Sequence, residues 1–143
     1  SLKAKYEISP LQGIQERAKG LAEVKYVRGY VGDVGGEYNG VTTGQSLQDD
    51  RTVEQLTAEA VEAAKKADYV IFVGGMNKAH NQDCEDGDRL HYELPYGQDQ
   101  LISALAAVND KVIFVSISGN AHGMPWNNEV EAPLHSQGIR RKG

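Results

Sequence analysis

The sequence predicts an α/β fold with a mostly parallel sheet, and two observations support this. The apolar runs 69–73 and 111–117 are almost uninterrupted, as expected of parallel strands that are covered on both faces. Patterns typical of helices alternate with the predicted strands, in the order helix, strand, helix, strand, helix, strand. We therefore expect a three-layer, doubly wound, flavodoxin-like or Rossmann-like domain. Three strands are few for such a sheet, so we expect an incomplete one.

The first predicted helix begins at Pro10, because proline suits the first helical position and Ser9 is a suitable N-cap. Its apolar residues share one face: Leu11, Ile14 and Ala18. Gly20 fits the end of this helix. Residues 24–30, which read Val-Lys-Tyr-Val-Arg-Gly-Tyr, are β-branched and aromatic and predict the first strand.

Residues 31–50 are rich in glycine, with Gly32, Gly35, Gly36, Gly40 and Gly44 among mostly polar neighbours. A segment of this length without regular structure indicates a functional loop, an insertion or a poorly ordered region. It contains neither a Walker-type phosphate motif nor the dinucleotide-binding glycine spacing. We interpret it as a surface loop whose glycines serve turns.

Two further helices follow from caps and apolar periodicity. Thr52 and Gln55 have the spacing of a capping box at the start of the second helix. Its predicted apolar stripe is Val53, Leu56, Ala60, Val61 and Ala64. The third helix begins near Tyr96, and its apolar positions are Leu101, Ile102, Leu105 and Val108. It leads into the predicted strand 111–117.

Length and composition indicate one domain, which we place at residues 1–132. Residues 133–143 are basic and lack apolar periodicity, which predicts a disordered or non-native tail. The net charge of −5 argues against non-specific binding to nucleic acid or to an anionic membrane surface. No run is long and apolar enough for a membrane span, and no signal peptide is expected at the start. The single cysteine, Cys84, excludes an internal disulfide.

The segment 74–95 carries most of the candidate chemistry, because it follows a predicted parallel strand, where ligands bind in α/β sheets. Its carboxylates are crowded: Asp83, Glu85, Asp86 and Asp88. Like-charge repulsion raises the pKa of some carboxyls in such a cluster, while Arg89 lowers the pKa of those nearest to it. A carboxyl held protonated near neutral pH is a useful general acid. A solvated acidic loop or a calcium-binding loop explains the same pattern, although the spacing is not that of an EF-hand.

Other chemistry in this segment has weaker support. The set His80, Asp83, Cys84 and His91 matches no standard zinc spacing. Cys84 with a histidine base could be a nucleophile, but an ordinary thiol in a loop explains it as well. Trp126, the only tryptophan, could stack on a sugar ring or pack against the sheet.

The order of motifs from residue 68 onwards resembles a known family. An apolar strand precedes Gly-Gly-Met-Asn, and Cys-Glu-Asp-Gly-Asp-Arg and Leu-Pro-Tyr-Gly-Gln-Asp-Gln-Leu-Ile follow. Val-Ile-Phe-Val-Ser-Ile-Ser-Gly-Asn and Met-Pro-Trp complete the series. This succession resembles the C-terminal α/β sandwich domain of glycoside hydrolase family 3, which includes β-glucosidases and β-xylosidases. The resemblance covers residues 11–132 and is strongest over 68–126.

The resemblance implies a retaining β-glycosidase built from two domains. A separate N-terminal barrel carries the nucleophilic Asp, and the sandwich domain supplies the acid/base Glu within a Glu-Gly-x-Asp-Arg segment. Glu85, Asp88 and Arg89 match that pattern, so Glu85 is the implied acid/base and the other two support its loop. The departure is Asp86 where glycine is usual, with Gly87 one position later. No cofactor or metal is implied.

The implied partners are a β-glycoside or oligosaccharide substrate and the missing barrel, and we expect the isolated chain to be inactive. A stand-alone α/β module that binds a carbohydrate or nucleotide is the alternative, and an interaction domain with a solvated loop is the third reading. A homo-oligomer could cover exposed sheet edges. Parent enzymes of this resemblance are often secreted or periplasmic. The sequence does not specify the sugar or the linkage.

Overall fold

A computed structural model describes residues 8–32, 48–77 and 90–136. Within these ranges the helices are α1 (Pro10–Ala18), α2 (Val53–Lys66) and α3 (Gln98–Ala106), and the strands are β1 (Val70–Gly75), β2 (Val112–Ile117) and β3 (Ala132–Ser136). The glycine-rich residues 33–47 and residues 78–89 lie outside the described part. None of the described helices is long and apolar enough to cross a membrane.

The first two helices begin as predicted. Ser9 Oγ accepts a 3.2 Å hydrogen bond from the backbone N–H of Gln12 and caps α1. Thr52 and Gln55 form a reciprocal capping box, with side chain to backbone distances of 3.2 and 2.8 Å. Helix α3 starts differently, because Gly97 occupies its N-cap in the left-handed region and offers no side chain. Its first helical residue is Gln98, two positions after the predicted start.

The sheet is parallel, with strand order β1-β2-β3. Val70 pairs with Val112 at the start of β1, and Ile113 pairs with Ala132 at the start of β3. Because β1 and β2 run parallel, α3 forms the crossover between them. The α/β class and the small parallel sheet are therefore confirmed.

The core lies on one face of this sheet. Phe72 and Phe114 contribute the strand side of the core, with ring centroids 5.7 Å apart. Helices α2 and α3 contribute Ala60, Ala64, Leu101, Ile102 and Leu105, and Leu94, Val112 and Trp126 complete the cluster.

The opposite face carries Ile71, Val73, Ile113, Val115, Ile117 and Leu134, as the strand register requires. None of these side chains belongs to the core cluster, and Ile71, Ile117 and Leu134 are 43%, 44% and 56% exposed. We call these six residues the open face. In the described part of the chain, only one of the two expected helical layers packs against the sheet.

The strand predicted at 24–30 was wrong, and a strand that was not predicted forms at 132–136. Residues 24–30 form no strand. The segment contacts the sheet through side chains instead: the Tyr30 ring stacks on the rings of Phe72 and Tyr96, with centroids 5.9 and 6.2 Å apart. Conversely, residues 132–136 form β3, although most of this stretch was expected to belong to a disordered or non-native tail. Pairing with β2 decides this, and Pro133 is tolerated because β3 is an edge strand. Residues 137–143 lie outside the described part, and the domain limits stay a prediction.

Candidate functional site

The site predicted from sequence falls between two described stems. Glu85, Asp88 and Arg89 lie outside the described residues, as do His80, Asp83 and Cys84. The first stem, residues 75–77, is the last residue of β1 and the two that follow it, and the second stem, residues 90–95, precedes α3. Both stems therefore lie at the carboxyl end of a parallel strand, the edge at which α/β folds bind ligands.

Gln98 joins the two stems. Its Oε1 accepts a 2.8 Å hydrogen bond from the backbone N–H of Gly75, and its Nε2 donates to the Gly75 carbonyl, also at 2.8 Å. The same Nε2 donates to the carbonyl of Pro95 at 2.9 Å. The side chain is fully buried at the first position of α3. One amide group thus holds the backbone on both sides of the undescribed segment.

Asp99 links the second stem to Trp126. Its Oδ2 accepts a 3.2 Å hydrogen bond from the backbone N–H of Leu94, and its Oδ1 accepts a 2.6 Å bond from Nε1 of Trp126. Trp126 is fully buried and lies against Phe114, with 4.4 Å between ring centroids. Of the two uses considered for this tryptophan, the structure places it in packing, out of reach of a sugar ring.

Two glycines let the strand end approach Gln98. A Cβ on Gly74 would lie 2.3 Å from Gln98 Oε1, and a Cβ on Gly75 would lie 2.0 Å from the Ile117 carbonyl oxygen. Gly75 also has a φ of +129°, a conformation that side-chain-bearing residues rarely adopt. The Gly-Gly pair that ends β1 is therefore required by two close approaches, that of Gln98 to Gly74 and that of the Ile117 backbone to Gly75.

Three further hydrogen bonds fix the stems. The backbone N–H of Met76 donates to the Ile117 carbonyl at 3.0 Å, and that of Gly123 donates to the Tyr92 carbonyl at 2.8 Å. Asn77 Nδ2 donates to Tyr96 Oη at 3.1 Å. The first stem is thus tied to β2 and to Tyr96, the residue after the second stem. The second stem is tied to the loop that follows β2.

A buried Ser-His pair supports that loop. Ser116 Oγ lies 2.8 Å from His122 Nε2, and His122 Nδ1 lies 2.8 Å from the Gly123 carbonyl oxygen. A carbonyl only accepts, so Nδ1 carries a proton, and in the neutral ring Nε2 accepts from the Ser116 hydroxyl. Ser116 is 1% exposed, which keeps substrate away from its hydroxyl. The pair stabilises the fold rather than forming a nucleophile.

A cleft of about 650 Å³ opens beside Tyr96 and lies between the segment 29–31, the start of α2 and the start of α3. Asp49 lines it and is bonded to Arg51 Nη2 at 2.7 Å and to Arg28 Nη1 at 3.3 Å. The hydrogen bonds from Arg51 hold the pKa of Asp49 below its ordinary range. Burial, with a smaller effect from Tyr96, raises the pKa of Tyr30 to about 12. The cleft therefore presents a neutral Tyr30 and a carboxylate, Asp49, whose charge is compensated by Arg51 and Arg28.

Sequence reasoning missed Gln98, Asp99 and His122. The available signal was a pair of polar residues in the first turn of a helix, at positions that the apolar stripe of α3 would otherwise fill. Among the described residues, no group of three or more His, Cys, Asp or Glu side chains is placed to hold a metal ion. Of the set His80, Asp83, Cys84 and His91, only His91 lies within the described residues.

Residues 1–138 match the glycosyl hydrolase family 3 C-terminal domain. The chain belongs to glycosyl hydrolase family 3. The resemblance read from the motifs is confirmed, and the match extends beyond residues 11–132 at both ends.

Relatives of this family 3 chain are β-glucosidases. Beta-glucosidase BoGH3A of Bacteroides ovatus is 43% identical over 141 residues, which cover 94% of this chain and 17% of that protein. Thermostable beta-glucosidase B of Acetivibrio thermocellus is 31% identical over 93 residues, covering 65% and 12% of the two chains. The family 3 chain therefore spans only a small part of the length of these relatives.

Solved structures agree on the fold. DesR, a beta-glucosidase from Streptomyces venezuelae whose structure contains D-glucose, superposes with a TM-score of 0.52 and 34% identity, covering 58% of this chain and 10% of that one. A beta-glucosidase from Kluyveromyces marxianus superposes with a TM-score of 0.57 at 24% identity, covering 62% and 11%. The second similarity supports the fold alone.

Proposed function

We propose that this chain is the accessory catalytic domain of a retaining β-glycosidase, and that Glu85 is its general acid/base. The observation that carries the proposal is the Glu-Asp-Gly-Asp-Arg sequence at 85–89, within a chain that matches the family 3 C-terminal domain from residue 1 to residue 138. Its β-glucosidase relatives support the reaction class.

The proposed reaction has two steps. Glu85, initially protonated, gives its proton to the glycosidic oxygen while a carboxylate attacks the anomeric carbon, so the aglycone leaves as an alcohol and a glycosyl-enzyme forms. Glu85, now a carboxylate, takes a proton from water while the water oxygen attacks the anomeric carbon, so the bond to the nucleophilic carboxylate breaks, the sugar is released and Glu85 is protonated again. In retaining glycosidases the two carboxyl groups stand about 5–5.5 Å apart. Asp88 and Arg89 are proposed to support the Glu85 segment through an ion pair.

The nucleophile is proposed to lie in a separate N-terminal barrel domain. The relatives leave ample length for one, since this chain covers 17% of BoGH3A. We therefore expect the isolated chain to leave an aryl β-glucoside unhydrolysed. Turnover by the purified 143-residue chain, abolished by Glu85→Ala, would disprove the need for a second domain.

The decisive test of Glu85 uses the complete enzyme that carries this chain. Glu85→Ala should lower kcat/KM for an alkyl β-glucoside by about 10²–10⁴-fold, the usual contribution of general acid catalysis. It should affect a 2,4-dinitrophenyl β-glucoside far less, because that leaving group departs without a proton. Cys84→Ser is the matched control in the same segment and should retain activity. Equal losses on both substrates would exclude Glu85 as the acid.

The alternative of a stand-alone carbohydrate-binding module makes a different prediction. Such a module would bind glucose or a β-glucoside with the 143-residue chain alone, and Glu85→Ala would leave that affinity unchanged. Isothermal titration of the isolated chain with both ligands separates the two proposals. No phosphate-binding glycine motif supports the nucleotide form of this alternative.

A further inference from the structure

We infer that Gln98 is a positioning residue for the acid/base, acting through the backbone at both ends of the segment that carries Glu85. The inference rests on the proposed function. Gln98 bonds the N–H and the carbonyl of Gly75 on one side and the carbonyl of Pro95 on the other. The Gln98 side chain therefore forms hydrogen bonds to the backbone of both stems.

The hydrogen-bonding capacity of Gln98 is matched to this task. Two carbonyl oxygens need donors and one N–H needs an acceptor, and a primary amide supplies both kinds of group from one planar unit. The side chain is 0% exposed, so water does not replace a lost bond. A carboxylate of the same size would place negative charge against the carbonyl oxygens of Gly75 and Pro95. A thioether would remove all three side-chain hydrogen bonds and leave the Pro95 carbonyl with the 3.4 Å bond from the backbone N–H of residue 98.

The support beneath Gln98 is rigid. In the helix that it begins, Ile102 is 0% exposed and Leu105 is 4% exposed, and both belong to the core cluster. On the strand side, Gly74 leaves no space for even a methyl group next to the Gln98 amide. A change at residue 98 therefore moves the stems rather than the helix.

Asp99 has a narrower role, which makes it a useful comparison. Its carboxylate bonds the N–H of Leu94 and the indole of Trp126, so it reaches the second stem only. By contrast, the single side-chain amide of Gln98 is hydrogen-bonded to both Gly75 and Pro95. Since a displacement of about 1 Å can lower an enzymatic rate about 10²-fold, relative stem position matters for proton transfer.

The test uses the complete enzyme and three variants: Gln98→Glu, Gln98→Met and Gln100→Glu. Gln100 is exposed in the same helical turn, so Gln100→Glu controls for added charge. Both Gln98 variants should lose about 10–100-fold in kcat/KM on an alkyl β-glucoside and change little on the 2,4-dinitrophenyl glucoside. Azide should accelerate their turnover of the dinitrophenyl substrate, because azide attacks the glycosyl-enzyme without a base. A purely structural role would lower both kcat/KM values equally.

The outcomes separate this inference from the proposed function. If Glu85→Ala shows no dependence on the leaving group, the proposed function fails. Suppose that the loss caused by Glu85→Ala does depend on the leaving group. If the Gln98 variants then lose activity equally on both substrates, or lose no activity, only the positioning role is overturned. If every change at residue 98 prevents folding while Gln100→Glu folds, Gln98 serves stability and the inference is also overturned.

Discussion

The indole Nε1–H of Trp126 donates a 2.6 Å hydrogen bond to Oδ1 of Asp99, and both side chains are buried. The partners come from the loop after β2 and from the first turn of α3. The other oxygen of the same carboxylate receives the N–H of Leu94. One carboxylate thus ties the two loops that follow β1 and β2 at the edge where the candidate site lies.

We expect Asp99→Asn to destabilise the chain by about 1–3 kcal/mol. Both Asp99 oxygens accept hydrogen bonds, from the Leu94 N–H and the Trp126 Nε1–H, whereas an asparagine amide has one oxygen and would place its NH₂ against one of these two donors. Urea unfolding followed by tryptophan fluorescence measures the change, and Trp126 is the only tryptophan. Asp110→Asn, at an exposed turn position, is the matched control. Equal stability of the two variants would show that the buried carboxylate is dispensable.

Gly75→Ala should destabilise the chain by about 2 kcal/mol or more, because alanine would be strained at a φ of +129° and would contact the Ile117 carbonyl oxygen. Gly13→Ala, inside α1, should instead stabilise it by about 0.5–1 kcal/mol, since the nearest atom to a new Cβ is 3.9 Å away. Thermal unfolding of the two variants should shift the midpoint in opposite directions. A shift of the same sign would contradict the close approach at β1.

Asp49 should make the free energy of unfolding depend on acidic pH. Its folded pKa lies below the unfolded value of about 3.9, so its stabilisation is complete above that value and is lost as pH falls. Asp49→Asn should therefore destabilise the chain at neutral pH and progressively less below about pH 4. Urea unfolding from pH 7 to pH 3 tests this, with Asp50→Asn as the control. A difference that grows on acidification would exclude the Arg28 and Arg51 contacts as its cause.

The open face should make the isolated chain associate with itself. Parallel sheets are normally covered on both sides, and contiguous apolar patches favour contacts between molecules. The double variant Ile71→Thr/Ile117→Thr keeps β-branched side chains and adds hydroxyls, so it should lower the sedimentation coefficient at high concentration. Val53→Thr changes an apolar residue outside the sheet that is more exposed than Ile71 or Ile117, and it should have no effect. Monomeric behaviour of the unmodified chain would contradict the proposed oligomer.

Local signals predicted the helices well. Ser9 and Thr52 predicted the starts of their helices, because an N-cap is a contact between residues three positions apart and can therefore be recognised from the local sequence. The start of α3 was less visible, since Gly97 supplies no capping side chain. The strand expected at 24–30 failed for a related reason. Its residues have strand propensity, but a strand also requires a neighbouring backbone to pair with.

The sequence by itself determined the α/β class, the caps, two of the three strands and the family, because these depend on periodicity and on motifs in order. Only the tertiary structure decided that residues 132–136 pair with β2 as a third strand, that Trp126 is packed, and that Gln98 joins the two stems. Those features arise from hydrogen bonds between residues far apart in the chain. Such bonds form where the fold brings together backbone groups that still need a partner, and a local sequence pattern does not predict where that happens.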